Sequence, residues 1–267
     1  MTRLGAMSPD GAGADRATAE PSGLPLGTPT PWEPAEKVHA DRREVLRYLG
    51  YSGQDLTREL EQRIEGLVRE AEDAVSVRGS WAVWPVAPES GDGAGPLRLA
   101  GSTVELEGSD IAAHLAAAGH VALLACTLGF ECERHLRRAM ARSALDGAVA
   151  DAACSALVEA ATEHMDRMVG EAAREAGLGR TRRFSPGYGD LPLSSQGAIV
   201  TSLNARRLCG ISVTAEDLLT PTKSVTALIG LTERPGAAHG RSFTCAECTL
   251  KGSCPFRERG LRCFGRP

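Results

Sequence analysis

His120-Val121-Ala122-Leu123-Leu124-Ala125-Cys126-Thr127-Leu128-Gly129-Phe130 is the longest apolar run in the chain, and its length decides the kind of protein this is. A membrane-spanning helix needs ~20 apolar residues, and this run is about half as long. Residues 121–126 are wholly apolar and include a β-branched residue, so they read as a buried central strand. The turn Thr127-Leu128-Gly129 then leads into a helix over about 131–141. The longest helix of the chain is expected over about 144–176. Leu145, Val149, Ala152, Ala156, Ala160 and Met168 lie along one of its faces, with alanines that admit a close partner.

Upstream of the strand, Ser109 or Asp110 caps a helix that Gly119 ends. Leu97, Leu99, Thr103, Val104 and Leu106 suggest a hairpin or two short strands around Ala100-Gly101, and the Gly/Pro-rich piece over 88–96 is a loop. Residues 81–86 (WAVWPV) read as a strand that Pro85 confines to an edge or an end. Asp55 precedes an amphipathic helix in which Leu56, Leu60, Ile64, Leu67, Ala71 and Val75 recur at helical spacing. A short helix over 43–50 stops at Gly50. Residues 1–38, rich in Gly, Ala, Pro, Thr and Ser, show no apolar period and read as a disordered leader.

Downstream, a helix is expected over about 193–208, ending at Gly210. Residues 211–220 run into Pro221, and Val225, Ala227, Ile229 and Leu231 alternate as in a strand. Strands and helices interleave without a repeating βαβ unit. The fold class is therefore α+β, a mostly antiparallel sheet packed against several long helices. The main domain is expected over 39–235, with a cysteine-rich tail over 236–267.

Composition narrows the function classes. The chain has 267 residues, 42% hydrophobic and 24% charged, which suits a soluble globular protein. A net charge of -4 argues against a general nucleic-acid binder. The first 23 residues carry no apolar core of a secretory signal, and no segment is long enough to span a bilayer, so the expected location is cytoplasmic. Cys126, Cys132, Cys154 and Cys209 sit in apolar sequence and read as core or half-buried thiols.

The densest chemistry lies in Arg183-Phe184-Ser185-Pro186-Gly187-Tyr188. Pro186 fixes φ, Gly187 can take a positive φ, Arg183 offers a bidentate cation to a carboxylate, and Tyr188 can stack or hydrogen-bond. From the residues alone two readings stand: a turn linking two helices, or a site for a small ligand with a carboxylate and a flat ring. Arg180-Thr-Arg-Arg183-Phe-Ser-Pro-Gly-Tyr188 resembles the signature of the AdoMet-binding reactivation domain of cobalamin-dependent methionine synthase. Val213-Thr-Ala-Glu-Asp-Leu-Leu-Thr-Pro221-Thr-Lys-Ser224-Val225 is similar to a second pattern of that family. The helix carrying Asp146-Gly-Ala-Val149 and Asp151-Ala-Ala-Cys-Ser-Ala-Leu157 is similar to the family helix before the arginines. The resemblance covers about residues 42–234 and is strongest to the stand-alone form.

That resemblance implies Arg183, Ser185, Gly187 and Tyr188 as AdoMet ligands, with Arg180 as a second candidate and the tyrosine near a corrinoid. It also implies a rescue reaction in which inactive cob(II)alamin, one electron and the AdoMet methyl group restore methylcobalamin. The cobalamin would be carried by a partner methionine synthase or related corrinoid protein, and flavodoxin or ferredoxin would donate the electron. The chemistry asks for positioning and water exclusion, so no catalytic acid or base is expected. Where the family often continues Gly-Tyr-Pro-Ala-Cys, this chain reads Gly187-Tyr188-Gly189-Asp190-Leu191.

The tail reads Cys245-x2-Cys248-x5-Cys254-x8-Cys263, a ligand count that suits zinc or an iron–sulfur cluster, with a pair of disulfides or free thiols as the third reading. A second functional class is thus a metal-bearing binding or electron-transfer module acting on a corrinoid protein. Glu159, Glu163 and His164 read as a solvated helix face. Arg134, Arg137, Arg138 and Arg142 form a basic stripe, either solvated or a dock for an acidic partner.

Overall fold

The structure, a computed structural model, describes residues 21–88, 90, 95–233, 252 and 255–258. The elements run β1 (Thr30–Trp32), α1 (Arg42–Tyr48), α2 (Arg58–Ala74), β2 (Arg78–Pro85), β3 (Leu97–Arg98), β4 (Glu105–Leu106), α3 (Ser109–His114) and β5 (His120–Thr127). They continue with α4 (Gly129–Arg142), α5 (Ala144–Glu175), β6 (Gly179–Arg180), α6 (Ser195–Ser202), α7 (Ala205–Leu208), β7 (Ser212–Val213), β8 (Leu219–Thr220), β9 (Ser224–Thr232) and α8 (Pro255–Glu258). One antiparallel sheet in the order β1-β2-β5-β9-β6 organises them, and the fold is α+β.

β5 is the central strand, paired along its length with β2 on one side and β9 on the other, and all of its residues are buried. Its apolar run is continuous rather than alternating because both sheet faces are covered. Ala122, Leu124 and Cys126 join Trp81, Val83, Ala227, Ile229 and Leu231 beneath α4 and α5. Val121, Leu123 and Ala125 join Ala82, Trp84 and Leu228 against α3, α6, α7 and the β3–β4 hairpin. Full burial of each leucine or valine here stabilises the fold by about 1.5–3 kcal/mol relative to exposure.

α5 crosses one face of the sheet, and its small side chains (Ala150, Ala153, Ala156, Ala161, Ala173) permit close approach. Leu145 departs from the expected stripe and is 45% exposed. Asp146 in that turn is buried between Arg63 at 2.8 Å and Arg142 at 3.2 Å, which ties α2 and α4 to α5.

Several expected boundaries move. Residues 21–38 do not belong to a structureless leader, since β1 pairs with β2 and Leu24 and Val38 are buried. β2 lies inside the sheet rather than at its edge, and Pro85 is its last residue, the end position that is the other expectation. Thr57, not Asp55, caps α2 by accepting from Leu60 N–H. The single helix expected over 193–208 is divided into α6 and α7 at Asn204, which adopts φ 47°. The four tail cysteines, Cys245, Cys248, Cys254 and Cys263, lie outside the described residues.

Candidate functional site

The segment that carries the candidate residues is an irregular edge strand. Arg180 pairs with Leu231 of β9, and Phe184 pairs with Leu228 through two backbone hydrogen bonds of 2.9 and 2.7 Å. Between these pairs the edge strand has three residues and β9 has two, so the edge carries a β-bulge. In a regular strand, residues three apart face opposite ways. The bulge instead turns both Arg180 and Arg183 toward α5, where both approach Asp166. Thr181 stabilises the irregularity by accepting Gly230 N–H on its hydroxyl at 2.9 Å.

The two arginines have different electrostatic situations. Arg180 Nη1 donates to both carboxylate oxygens of Asp166, at 2.7 Å each. Gly170, one turn further along α5, makes room for this side chain, since a Cβ there would sit 2.5 Å from Arg180 Nε. Arg183 Nη2 lies 3.7 Å from Glu159 Oε2, and its Nε lies 4.0 Å from Asp166 Oδ1. These are ion-pair distances and too long for hydrogen bonds. Arg183 is therefore held in place by charge while its guanidinium keeps donor capacity for another carboxylate.

Beyond Phe184 the ladder to β9 ends, because the next register partner of Thr226 is Pro186, which has no N–H. Ser185-Pro186-Gly187-Tyr188 closes a turn in which Ser185 C=O accepts Tyr188 N–H at 3.0 Å. Gly187 adopts φ 90°, which with proline before it is the signature of a type II turn. A second turn follows, with Leu191 N–H donating to Tyr188 C=O at 3.0 Å and Gly189 at φ 53°. Tyr188 is 49% exposed, with its ring edge-on to buried Phe184 at 6.0 Å. Phe184 in turn lies 5.1 Å from His114, whose Nε2 hydrogen-bonds Arg182 C=O at 2.8 Å.

The Gly189-Asp190 flank has a structural role. The Asp190 carboxylate accepts from Ser109 N–H at 2.6 Å, Ser109 hydroxyl at 2.8 Å and Asp110 N–H at 3.0 Å. It thereby caps α3 from a distance in sequence, in place of the local cap expected at Ser109 or Asp110. Gly108 is required there, since a Cβ would fall 2.3 Å from Asp190 Oδ1.

The second singled-out segment forms the start of β9, so both segments meet on one strand. The Thr220-Pro221 bond is cis, and Thr222 donates to Glu133 of α4 through its N–H at 2.7 Å and its hydroxyl at 2.6 Å. Lys223 Nζ reaches Asp151 at 2.7 Å and Ser155 Oγ at 2.8 Å. These contacts anchor the strand to α4 and α5.

Sequence reasoning missed Asp166 and Gly170; Glu159 is exposed, as expected of a solvated face, and also stands 3.7 Å from Arg183. Glu159, Asp166 and Gly170 lie seven and four apart along α5, a spacing that puts them on one helix face, but only the bulge supplies the arginines that meet them. The internal thiols are buried: burial pushes Cys126 up to about 12 and Cys209 up to about 11, which leaves them unreactive. Among the described residues no group of three or more His, Cys, Asp or Glu side chains could hold a metal ion, and no helix is long and apolar enough to cross a membrane.

No protein-family model matches the chain, and no curated protein matches it. Among solved structures it is similar to the crystal structure of the MetH reactivation domain bound to AdoHcy, with a TM-score of 0.57 and 15% identity. The match covers 87% of this chain and 86% of that one. At this identity the likeness is one of architecture: the chain is built on the fold of the MetH reactivation domain.

Proposed function

We propose that this chain is an AdoMet-binding reactivation protein that supports reductive methylation of cob(II)alamin on a partner cobalamin-dependent methionine synthase. The observation that carries the reading is Arg183, a half-buried guanidinium steered by two carboxylates yet hydrogen-bonded to neither, beside an exposed aromatic turn. The likeness in fold to a domain that binds AdoHcy supports it, since AdoHcy is what AdoMet becomes on giving up its methyl group.

In this reading Arg183 takes the carboxylate of the ligand's amino-acid moiety. Ser185 and Gly187 offer turn backbone to the ligand, and the exposed Tyr188 ring packs on a flat partner. Arg180, committed to Asp166, fixes the charge network around Arg183 rather than meeting the ligand. Cobalamin, carried by the partner, supplies the methyl acceptor, and flavodoxin or ferredoxin supplies the electron. The chain's own residues orient the ligand and exclude water. The cysteine tail (Cys245, Cys248, Cys254, Cys263) is proposed to hold zinc or an iron–sulfur cluster. Anaerobic purification with metal analysis and an absorption spectrum distinguishes the two.

Isothermal titration with AdoMet tests the proposal. Removing one charge-assisted contact with Arg183→Ala costs about 1.5–3 kcal/mol, or roughly 10- to 150-fold in Kd. Wild-type protein that takes up no AdoMet would sink the assignment.

A further inference from the structure

The outward face of α4 carries a feature that the ligand site does not use. Phe130, Arg134, Arg137 and Ala141 follow one another at helical spacing, Arg138 adjoins them, and all are exposed. Arg142, the fourth member of the basic stripe, is engaged internally with Glu70 at 2.7 Å and Asp146 at 3.2 Å. The two acidic residues of α4 offset the remaining three arginines only in part, since the charge of Glu133 is also felt by Arg137. Glu131 serves only Arg134, at 3.2 Å, and Glu133 is turned to Thr222. Arg138 bonds a backbone carbonyl, that of Arg134, at 3.3 Å. The helix thus holds like charges at i and i+4, an arrangement that opposes its own stability. Large apolar side chains stand exposed at both ends of the stripe: Phe130 at 52%, and Met140 and Leu145 at 58% and 45%.

We propose that this face of α4 docks an acidic patch of a partner protein. Arginine flanked by exposed Phe and Met is the composition of a protein interface, and a positive stripe on a chain of net charge -4 favours an oppositely charged partner surface over a phosphate backbone. Arg134 and Arg138 are about 6 Å apart along the helix axis, a span that suits a cluster of carboxylates. The Glu133–Thr222 contact ties the first turns of α4 to the start of β9. Phe130 and Arg134 therefore stand at the same end of the sheet as the 185–188 turn. The proposal does not rest on the identity of the small ligand.

The full-length protein is titrated against fluorescently labelled poly-L-glutamate, read by anisotropy at about 20 and about 150 mM salt. A random-sequence DNA duplex is run in parallel. Binding is expected at low salt, weakened at least tenfold by Arg134→Glu/Arg137→Glu/Arg138→Glu and several-fold by Phe130→Ala. The exposed control Arg58→Glu/Arg69→Glu/Arg174→Glu should bind as wild type, and circular dichroism confirms that each variant is folded. Equal binding by the α4 variant, equal loss in the control, no binding by wild type, or tighter binding to the duplex overturns the proposal.

Discussion

Replacing Gly170 with alanine has an effect whose sign depends on a residue elsewhere in the sequence. In the interior of an exposed helix the change ordinarily stabilises by about 1 kcal/mol. Here the new Cβ would fall 2.5 Å from Arg180 Nε and 3.1 Å from its Cδ and Cζ. The Arg180 side chain must shift, and both of its 2.7 Å hydrogen bonds to Asp166 are expected to be lost. With side-chain exposures of 33% and 15%, this charge-assisted pair contributes about 1.5–3 kcal/mol. The net expectation is destabilisation by about 0.5–2 kcal/mol, a fall of about 1–8 °C in Tm for a domain of this size. In an Arg180→Ala background the obstruction is gone, and Gly170→Ala should raise Tm by about 2–4 °C. Thermal melts of the four proteins in a double-mutant cycle measure the coupling directly. The same shift in both backgrounds, or a rise in the wild-type background, would show that Arg180 relocates without loss and that Gly170 is not there to admit it. Freed from Arg180, Asp166 is also expected to draw Arg183 inward, so AdoMet affinity should fall with stability.

Asp190→Ala removes the distant cap of α3 and should cost about 1–2 kcal/mol, seen as a lower urea midpoint with Arg183 and Tyr188 chemistry untouched. Burial opposes ionisation of Asp190, but the hydrogen bonds from Ser109 and Asp110 outweigh it and hold the carboxyl below its usual 3.8. That stability is present above pH 3.8 and is lost as pH falls further. His114 and His135 behave differently: burial pushes both below the ordinary 6.5, only partly opposed at His114 by its bond to Arg182. The folded protein then binds fewer protons than the unfolded chain just below pH 6.5, so stability is level above that value and declines as pH falls through it. Urea melts between pH 5 and 8 should show this, and His114→Gln should flatten part of the slope; an unchanged slope in that variant would remove His114 from the account.

The central strand was legible because residues 121–126 form a short, wholly apolar run too brief for an independent helix, and α5 because its alanines and apolar positions keep helical spacing for about nine turns. α2 and β9 followed from periodicity for the same reason. What failed were features that depend on contacts far apart in sequence. The cap of α3 comes from Asp190, some eighty residues on, and no local signal at Ser109 reveals it. The docking of residues 21–38 is set by pairing of β1 with β2 and by burial of Leu24 and Val38, not by local propensity.

The candidate site divides in the same way. Sequence by itself determined the turn, since Pro186 and Gly187 fix its dihedrals wherever it lies, and it determined which side chains could meet a carboxylate or a ring. Tertiary structure alone decided how the two arginines are used. A bulge against β9 turns residues three apart to the same side, Gly170 admits one of them to Asp166, and the other is left with charge nearby but no hydrogen bond. Strand register and the approach of a helix across the sheet are long-range facts, because they arise from closing the chain on itself and have no counterpart in the spacing of neighbouring residues.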